Sequence, residues 1–527
     1  MARRVFWGLS IATVSLLSGL TLGGEPPLWI WLLTLPLLTL GLADALQRKH
    51  SLLRNYPVLG HARYALEKIR PEIRQYFGES DLDGRPFDRE TRSVVYQRAK
   101  GEIDSVPFGS KRNLMVVGAE WIPHSMAPEE PLQEAPRVLV GEGQCKQPYS
   151  ISRFNIAAMS YGALSHTAIT ALNRGAARGG FAHNTGEGGV SSYHLEAGGD
   201  LIWQIGTAYF GCRTLEGEFH PGRFVEMATH PSIKMVEIKL SQGAKPGYGG
   251  ILPAKKVTPE IAKLRQVPVG KAVNSPPGHS AFHTPIELLE FVDRLRELSG
   301  GKPVGLKMCV GKVSDLFCLF KAMLETGRRP DYISIDGAEA GTGAAPLEFT
   351  NYVGMPLDDG LFAVHAGLTG VGLRDQIKVF VAGRIVTGYD MFRMTALGAD
   401  GCFSGRGMML ALGCIQALRC HMNDCPVGVA TQDPALASAL DPADKAVRVQ
   451  RYHQKTVQSF LALMNAAGVK HPDDIAARHM RRRTAEGLVV PLAAVYPEVA
   501  AGSFLRGEVP AAFAADWETA RAEAFVG

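Results

Sequence analysis

Two runs without charged residues open the chain, residues 5–22 (VFWGLSIATVSLLSGLTL) and 28–43 (LWIWLLTLPLLTLGLA). Each is near the length that a helix rising about 1.5 Å per residue needs to cross a hydrocarbon core of about 30 Å. Arg3 and Arg4 precede the first run, and Arg48, Lys49 and Arg54 follow the second, so both basic flanks belong on the cytoplasmic side. The pattern predicts a transmembrane helical hairpin over 1–48 that turns at GGEPP, with Trp29 and Trp31 at an interfacial level. The alternatives are a soluble helical pair and a cleavable signal peptide. The latter should end in a small-residue site rather than run into a second apolar stretch.

Residues 49–150 form a linker or accessory region with mixed patterning. HARYALEKIRPEIRQYF has helical spacing interrupted by a proline, and DGRPFDRETRSVVYQRAKG reads as a loop followed by a helix. From about residue 150, short β-branched runs alternate with helical spacing. The clearest strands are VEIKL (236–240), VGLKMCV (304–310), YISID (332–336) and KVFVAG (378–383). Each is followed by glycines or polar residues and then a helix-like segment, which predicts a parallel α/β sheet with its functional loops at the strand C-termini. A closed (β/α)8 TIM-type barrel over 151–441 fits better than an open sheet, because no G-x-G-x-x-G follows an early strand. Residues 442–527 read as a polar helical tail packed outside the barrel.

Charge adds one point to this picture. Of the net +5, the whole excess lies in residues 1–75, at the membrane end, and the remainder of the chain is balanced. No basic nucleic-acid face is indicated. The 8 Cys form no even framework of the secreted type, which favours a reducing compartment.

Three of those cysteines, Cys414, Cys420 and Cys425, stand with five and then four residues between them in ALGCIQALRCHMNDCPVGVATQ (411–432), and Pro426 follows the last. Thiolates so spaced, with a proline turning the chain away, suit an iron–sulfur cluster. A structural zinc site completed by His421, or buried unliganded thiols, remain open on spacing alone.

The loops predicted at the strand ends carry the other candidates. RFNIAAMSYGALS (153–165) places Met159, Ser160 and Gly162 after a first strand, as a backbone surface for a flat ring or as a plain βα turn. In NTGEGG (184–189), three glycines surround Glu187, as in a loop that approaches a ligand while the carboxylate points inward; a turn with a solvent-facing Glu is the alternative. LSQGAKPGYGGILPAKKVTPEIAKLR (240–265) offers Lys245 in a glycine-rich loop and Arg265 at a helix end, cations suited to carboxylates. Lys307, inside a strand, needs a buried partner, either an ion pair or an anionic part of a ligand. DGAEAGTGAAP (336–346), VAGRIVTG (381–388) and FSGRGMM (403–409) supply Gly341, Gly343, Gly383, Gly405 and Arg406 after late strands, the usual phosphate cradle of such barrels. His279 and His283 in SPPGHSAFHTP (275–285) receive no role.

Taken together, these motifs from Phe154 to Asp433 resemble the FMN-bearing synthase domain of the glutamate synthases. The resemblance implies FMN against Met159, Ser160, Gly162 and Lys307, with its phosphate at the late glycines and Arg406. It implies a [3Fe-4S] cluster on Cys414, Cys420 and Cys425. Glu187 would help bind or deprotonate incoming ammonium, and Lys245 and Arg265 would hold the carboxylates of 2-oxoglutarate. Three positions depart from the family pattern: Ile251 where a substrate-binding Gln is usual, Ala382 where Asp is common, and Arg406 where Thr is common.

The expected activity is reductive amination of a 2-oxo acid by ammonia or another amine. No amidotransferase domain and no nicotinamide-binding motif is expected in the chain. Ammonia would therefore come free or from a separate amidotransferase subunit, and electrons from a donor protein or the quinone pool. Two other functions remain open: a membrane-coupled FMN dehydrogenase of a 2-hydroxy or amino acid, which Ile251 and the hairpin favour, and a non-catalytic electron-transfer subunit.

Overall fold

A computed structural model describes residues 2–24, 28–130, 132 and 134–526. The chain divides into two compact units, 1–89 and 90–527.

In the first unit, the two apolar runs form helices Ala2–Gly23 and Leu28–Leu46, the second with Pro36 inside it. Both are long and apolar enough to cross a membrane by length and composition. The residues of the expected turn at Glu25, Pro26 and Pro27 lie outside the described residues. Gly41 faces the Phe6 ring so closely that a Cβ there would meet it at 2.3 Å, the small-residue contact that lets apolar helices approach. Below the second helix, the buried Asp44 carboxylate accepts from the Val58 N–H and from His61 Nε2, each at 2.9 Å. After a short helix, Ser51–Asn55, the helix Leu59–Ile73 contains Pro71 and continues as a wider turn to Gly78.

The second unit is built on eight parallel strands that close into a barrel: β1 Phe154–Ile156, β2 His183–Asn184, β3 Leu201–Ile205, β4 Ile233–Lys239, β5 Val304–Met308, β6 Tyr332–Asp336, β7 Lys378–Ala382 and β8 Gly401–Ser404. Pairing of β8 with β1 (Phe403 beside Asn155) completes the ring. The strands are buried on both faces, which is why they read as nearly continuous β-branched runs. Helices follow most strands and start on polar caps. Ser165 caps His166–Gly179, and Thr284 with Glu287, then Thr387 with Asp390, form reciprocal capping boxes.

Two parts of this unit differ from the sequence expectation. A hairpin of Val138–Val140 and Tyr149–Ile151 contributes Val138, Val140 and Ile151 to the barrel core, beside Ile202, Met235, Tyr332, Phe380 and Phe403. The tail is not wholly helical. After helix Pro442–Ala466, which packs on His166–Gly179, come 3-10 turns and a small sheet in which Arg481–Arg483 pairs with Glu120–Trp121 and Val489–Pro491. Trp121 and the sheet receive Arg483 by a cation–π contact, and Glu120 binds Arg393, so backbone pairing and buried charge outweigh the tail's helix-favouring composition.

Candidate functional site

The loops at the C-terminal ends of the strands interlock. A Cβ on Gly186 would lie 2.7 Å from the Ser160 nitrogen, and one on Gly188 would lie 2.8 Å from the Ser160 Cβ, so the NTGEGG loop sits directly on the Met159–Ser160 segment. Gly186 also has φ +65°, a conformation glycine adopts without a steric penalty. The loop after β4 is tied to that after β6: the Gly243 N–H donates to Asp336 Oδ2 at 2.9 Å and the Ala244 N–H to the Ala338 carbonyl at 3.1 Å. On the other side, Gly405 faces Ala157 and the Met159 sulfur at ordinary contact distance. Met159, Ser160, Gly186 and Gly405 therefore border one mouth.

Glu187 points into this mouth and is largely buried. Lys239, the last residue of β4, places its ammonium 2.8 Å from Glu187 Oε1. Burial works against the carboxylate's charge, but Lys239 above all, then Lys245 and Arg265, outweigh it and hold its pKa below the usual range. Gly206 and Gly250 flank it so tightly that a Cβ at either would lie 2.6 or 2.5 Å from a carboxylate oxygen. The buried His279 supports the same strand end: its Nε2 donates to the Lys239 carbonyl at 2.9 Å, and its Nδ1 accepts from Tyr209 at 3.1 Å.

The other expected cations lie close by. Lys245 Nζ donates to the Ala344 carbonyl at 3.0 Å, and burial, helped by the charge of Lys239, pulls its pKa down to about 8 against the pull of Glu187. Arg265 ends helix Pro259–Arg265 and donates to the Tyr161 carbonyl at 3.0 Å and Ser160 Oγ at 3.3 Å, with its guanidinium over the Phe210 ring. Burial lowers its pKa to about 10. Three cations thus act on one carboxylate, an arrangement with positive charge left over for an anionic ligand. Ile251 is half-buried in a short hairpin with Asn274, next to Gly250.

Inside the barrel beneath this mouth runs a polar layer. Glu237 Oε1 accepts from Asn184 (2.8 Å) and Gln204 (2.6 Å), and burial raises its pKa while the charge of Lys307 opposes the rise. Lys307 itself stands 3.7 Å from Asp336. Of the two kinds of partner left open for Lys307, the ion pair is present. The neighbouring strand supplies a carboxylate.

At the ends of β6 to β8, Arg406 donates to the Glu339 carbonyl at 2.9 Å. Burial, then the nearby Arg384, lower its pKa to about 10. A Cβ on Gly341 would meet Arg406 at 2.8 Å, whereas Gly343 has open space beside it. Gly383 stands one residue before Arg384, whose own φ is +54°. Glycine backbone and two guanidiniums at this rim suit a phosphate.

Cys414 follows helix Arg406–Leu412, and its sulfur accepts from the Gln416 N–H at 3.4 Å. Cys420 and Cys425 lie near enough for their charges to act on Cys414, so the three thiols share one loop site. Lys256 faces Cys420 and Cys425, its ammonium donating to the Ala163 (2.8 Å) and Ala430 (2.9 Å) carbonyls. Among the described residues no three Cys, His, Asp or Glu side chains close on one point as the ligands of a single ion do. In a polynuclear cluster each iron takes its own thiolate, and three thiols on one loop offer that kind of donor set.

Comparison with known proteins now bears on these loops. Residues 124–470 match the family described as a conserved region in glutamate synthase. The chain belongs to the glutamate synthase family. It is 37% identical to the glutamate synthase large subunit-like protein YerD of Bacillus subtilis, over 85% of this chain and 92% of that one. It is 34% identical to the archaeal-type glutamate synthase [NADPH] of Thermotoga neapolitana over 59% of this chain, and the match spans 58% of that protein's length. A solved mandelate oxidase with an FMN adduct is similar at 15% identity, covering 80% of this chain and 98% of its own, with a TM-score of 0.40. The glutamate synthase-type chain is an oxidoreductase, and relatives so named act on the CH–NH2 group of donors.

Lys239 and Arg384 are the residues that sequence reasoning missed. The signal for Lys239 was a lysine two places after a glutamate in a run otherwise fit for a buried strand. For Arg384 it was a bulky cation between a glycine and the apolar pair Ile385–Val386.

Proposed function

We propose that this glutamate synthase-type oxidoreductase reductively aminates a 2-oxo acid, 2-oxoglutarate to glutamate in the first instance, with ammonia or another amine. The observation that carries the reading is the convergence of Lys239, Lys245 and Arg265 on Glu187 at the mouth of the barrel. The cations bind the carboxylates of the oxo acid and orient its carbonyl. Glu187, kept ionised by those cations, takes a proton from the incoming ammonium so that a neutral amine can attack. A cleft of about 670 Å³ lined by Thr207, Asn274, Pro276 and His283 gives the amine a way in. Two of its lining residues, Thr207 and Pro276, are bonded at 2.6 Å and adjoin Gly206 and Ser275 in sequence, and Gly206 packs against Glu187.

The Met159–Ser160 backbone, Gly162, Lys307, Gly341, Gly343, Gly383, Gly405 and Arg406 would hold FMN, which would supply hydride chemistry. The open space at Gly343 and the two cations Arg384 and Arg406 support that placement. Cys414, Cys420 and Cys425 would hold a [3Fe-4S] cluster, which would supply one-electron transfer with a donor protein or quinone. Helices Ala2–Gly23 and Leu28–Leu46 anchor the chain in a membrane as a hairpin, with the barrel on the cytoplasmic side.

The test is product identity. Reduced protein supplied with 2-oxoglutarate and 15N-ammonium should yield 15N-glutamate by mass spectrometry, and Glu187→Gln should abolish it. Absence of labelled glutamate from wild-type protein that retains FMN would sink the reading. Ile251 favours a second reading, since its side chain offers no hydrogen bond where the family pattern places an amide. A 2-hydroxy or amino acid would then be oxidised, and a quinone analogue would restore the flavin's oxidised spectrum.

A further inference from the structure

The second unit carries an ordered surface that is apolar where water would be expected. Residues 103–117 are pinned by their base and point outward. Arg98 binds Asp104 at 2.9 Å, the Gly118 N–H donates to the Arg483 carbonyl at 2.9 Å, and Arg483 Nε donates to the Leu114 carbonyl at 3.1 Å. Yet Ile103, Val106, Phe108, Met115 and Val117 are exposed by 79, 67, 109, 71 and 64%. Beside the same sheet, Leu488 and Val489 are exposed as well. Solvent-facing apolar side chains held by backbone hydrogen bonds, rather than buried by collapse, mark an interaction surface.

The charge around them bears on the partner. Residues 103–118 include Lys111 and Arg112 with one acid, Asp104, which Arg98 holds; Arg112 also reaches Glu90 at 3.3 Å; and the adjoining strand is Arg481–Arg483, with Glu486 in its turn. Arg481 and Arg483 give their N–H groups to backbone carbonyls, and among the described residues neither pairs with a carboxylate. A rim of cations around protruding Phe, Val, Ile and Met side chains matches the headgroup and upper acyl layer of an anionic bilayer.

We infer that residues 103–117, with the Arg481–Val489 hairpin, dock on an anionic membrane surface. This rests on the reading of helices Ala2–Gly23 and Leu28–Leu46 as a membrane anchor, which would hold the second unit at a bilayer. The apolar side chains enter the interfacial layer while Arg481 and Arg483 meet lipid phosphates.

The full-length protein in phosphatidylcholine nanodiscs, with and without phosphatidylglycerol, tests this by hydrogen–deuterium exchange. Exchange across 103–117 should slow about fivefold or more when phosphatidylglycerol is present, since each Lys or Arg near such a surface strengthens attachment by about that factor. The triple variant V106S, F108S, M115S should lose the protection while keeping wild-type turnover. Equal exchange in the two lipids would overturn the inference. So would protection that grows with protein concentration whatever the lipid, because a second copy would then cover the surface. If the protein does not enter nanodiscs, the anchor reading fails by itself. Flotation with phosphatidylglycerol vesicles then decides the loop: co-flotation lost in the triple variant supports it, and no co-flotation overturns it.

Discussion

The ammonium of Lys239 lies 2.8 Å from the carboxylate of Glu187, joining the end of the fourth barrel strand to the glycine loop after the second. Both groups are largely buried, and two further cations act on the same carboxylate. Breaking a buried pair by removing one partner leaves the other charge uncompensated, at a cost of roughly 3 kcal/mol.

Lys239→Gln should therefore lower the thermal midpoint and reduce turnover by about two orders of magnitude, the scale of loss when a reacting group is misplaced, because Lys239 holds the Glu187 carboxylate in position. It should also move the acidic limb of the pH–rate profile upward, because Glu187 loses the charge that chiefly depresses its pKa. The depressed carboxyl contributes stability above its unfolded value of about 4.3, and that contribution disappears as pH falls through the folded value. Urea unfolding of Glu187→Gln across the acid range should accordingly show a shallower loss than wild type.

Lys245 has its pKa lowered to about 8, whereas an unfolded lysine titrates near about 10.4. Between these values the unfolded chain binds more protons, so this residue makes stability rise with pH there. Binding changes in the opposite sense. The free enzyme's affinity for a 2-oxo acid should fall as pH passes about 8, as the cation is lost. In Lys245→Arg the fall should vanish, because a guanidinium stays protonated throughout. KM measured against pH for both proteins checks this.

Gly206→Ala would place a Cβ 2.6 Å from a Glu187 oxygen. Overpacking of this kind costs about 1–3 kcal/mol, and the carboxylate must leave Lys239. Activity should drop at least as far as in Lys239→Gln while bound flavin, measured by absorbance, stays at the wild-type level.

Cys420→Ser and Cys425→Ser should each remove the low-temperature paramagnetic signal of an oxidised [3Fe-4S] cluster and leave FMN content unchanged. Persistence of the signal in both variants would place the cluster elsewhere.

Much of this was legible in the sequence for a physical reason. Strands buried on both faces must be runs of Val, Ile and Phe, so β5, β6 and β7 could be read almost to the residue. Charged residues among glycines, such as Glu187 and Lys245, stand out because loops rarely need both. The Val138–Val140 hairpin could not be read, since three residues carry too little periodicity. Three consecutive arginines give no alternation at all, which hid the strand Arg481–Arg483. The carboxylate that pairs with Lys307 could not be named from the sequence, because Asp336 comes from the neighbouring strand. Only the register that sets Lys307 beside Ser334 and Met308 beside Ile335 brings that carboxylate within reach.

The most direct test of the account is anaerobic reoxidation of the reduced, detergent-solubilised protein, with flavin and cluster absorbance followed together. Rapid flavin reoxidation by 2-oxoglutarate plus ammonium, and by neither alone, is the predicted result. Inertness to that pair, with rapid reoxidation by a quinone analogue, would contradict reductive amination and leave a membrane-coupled dehydrogenase.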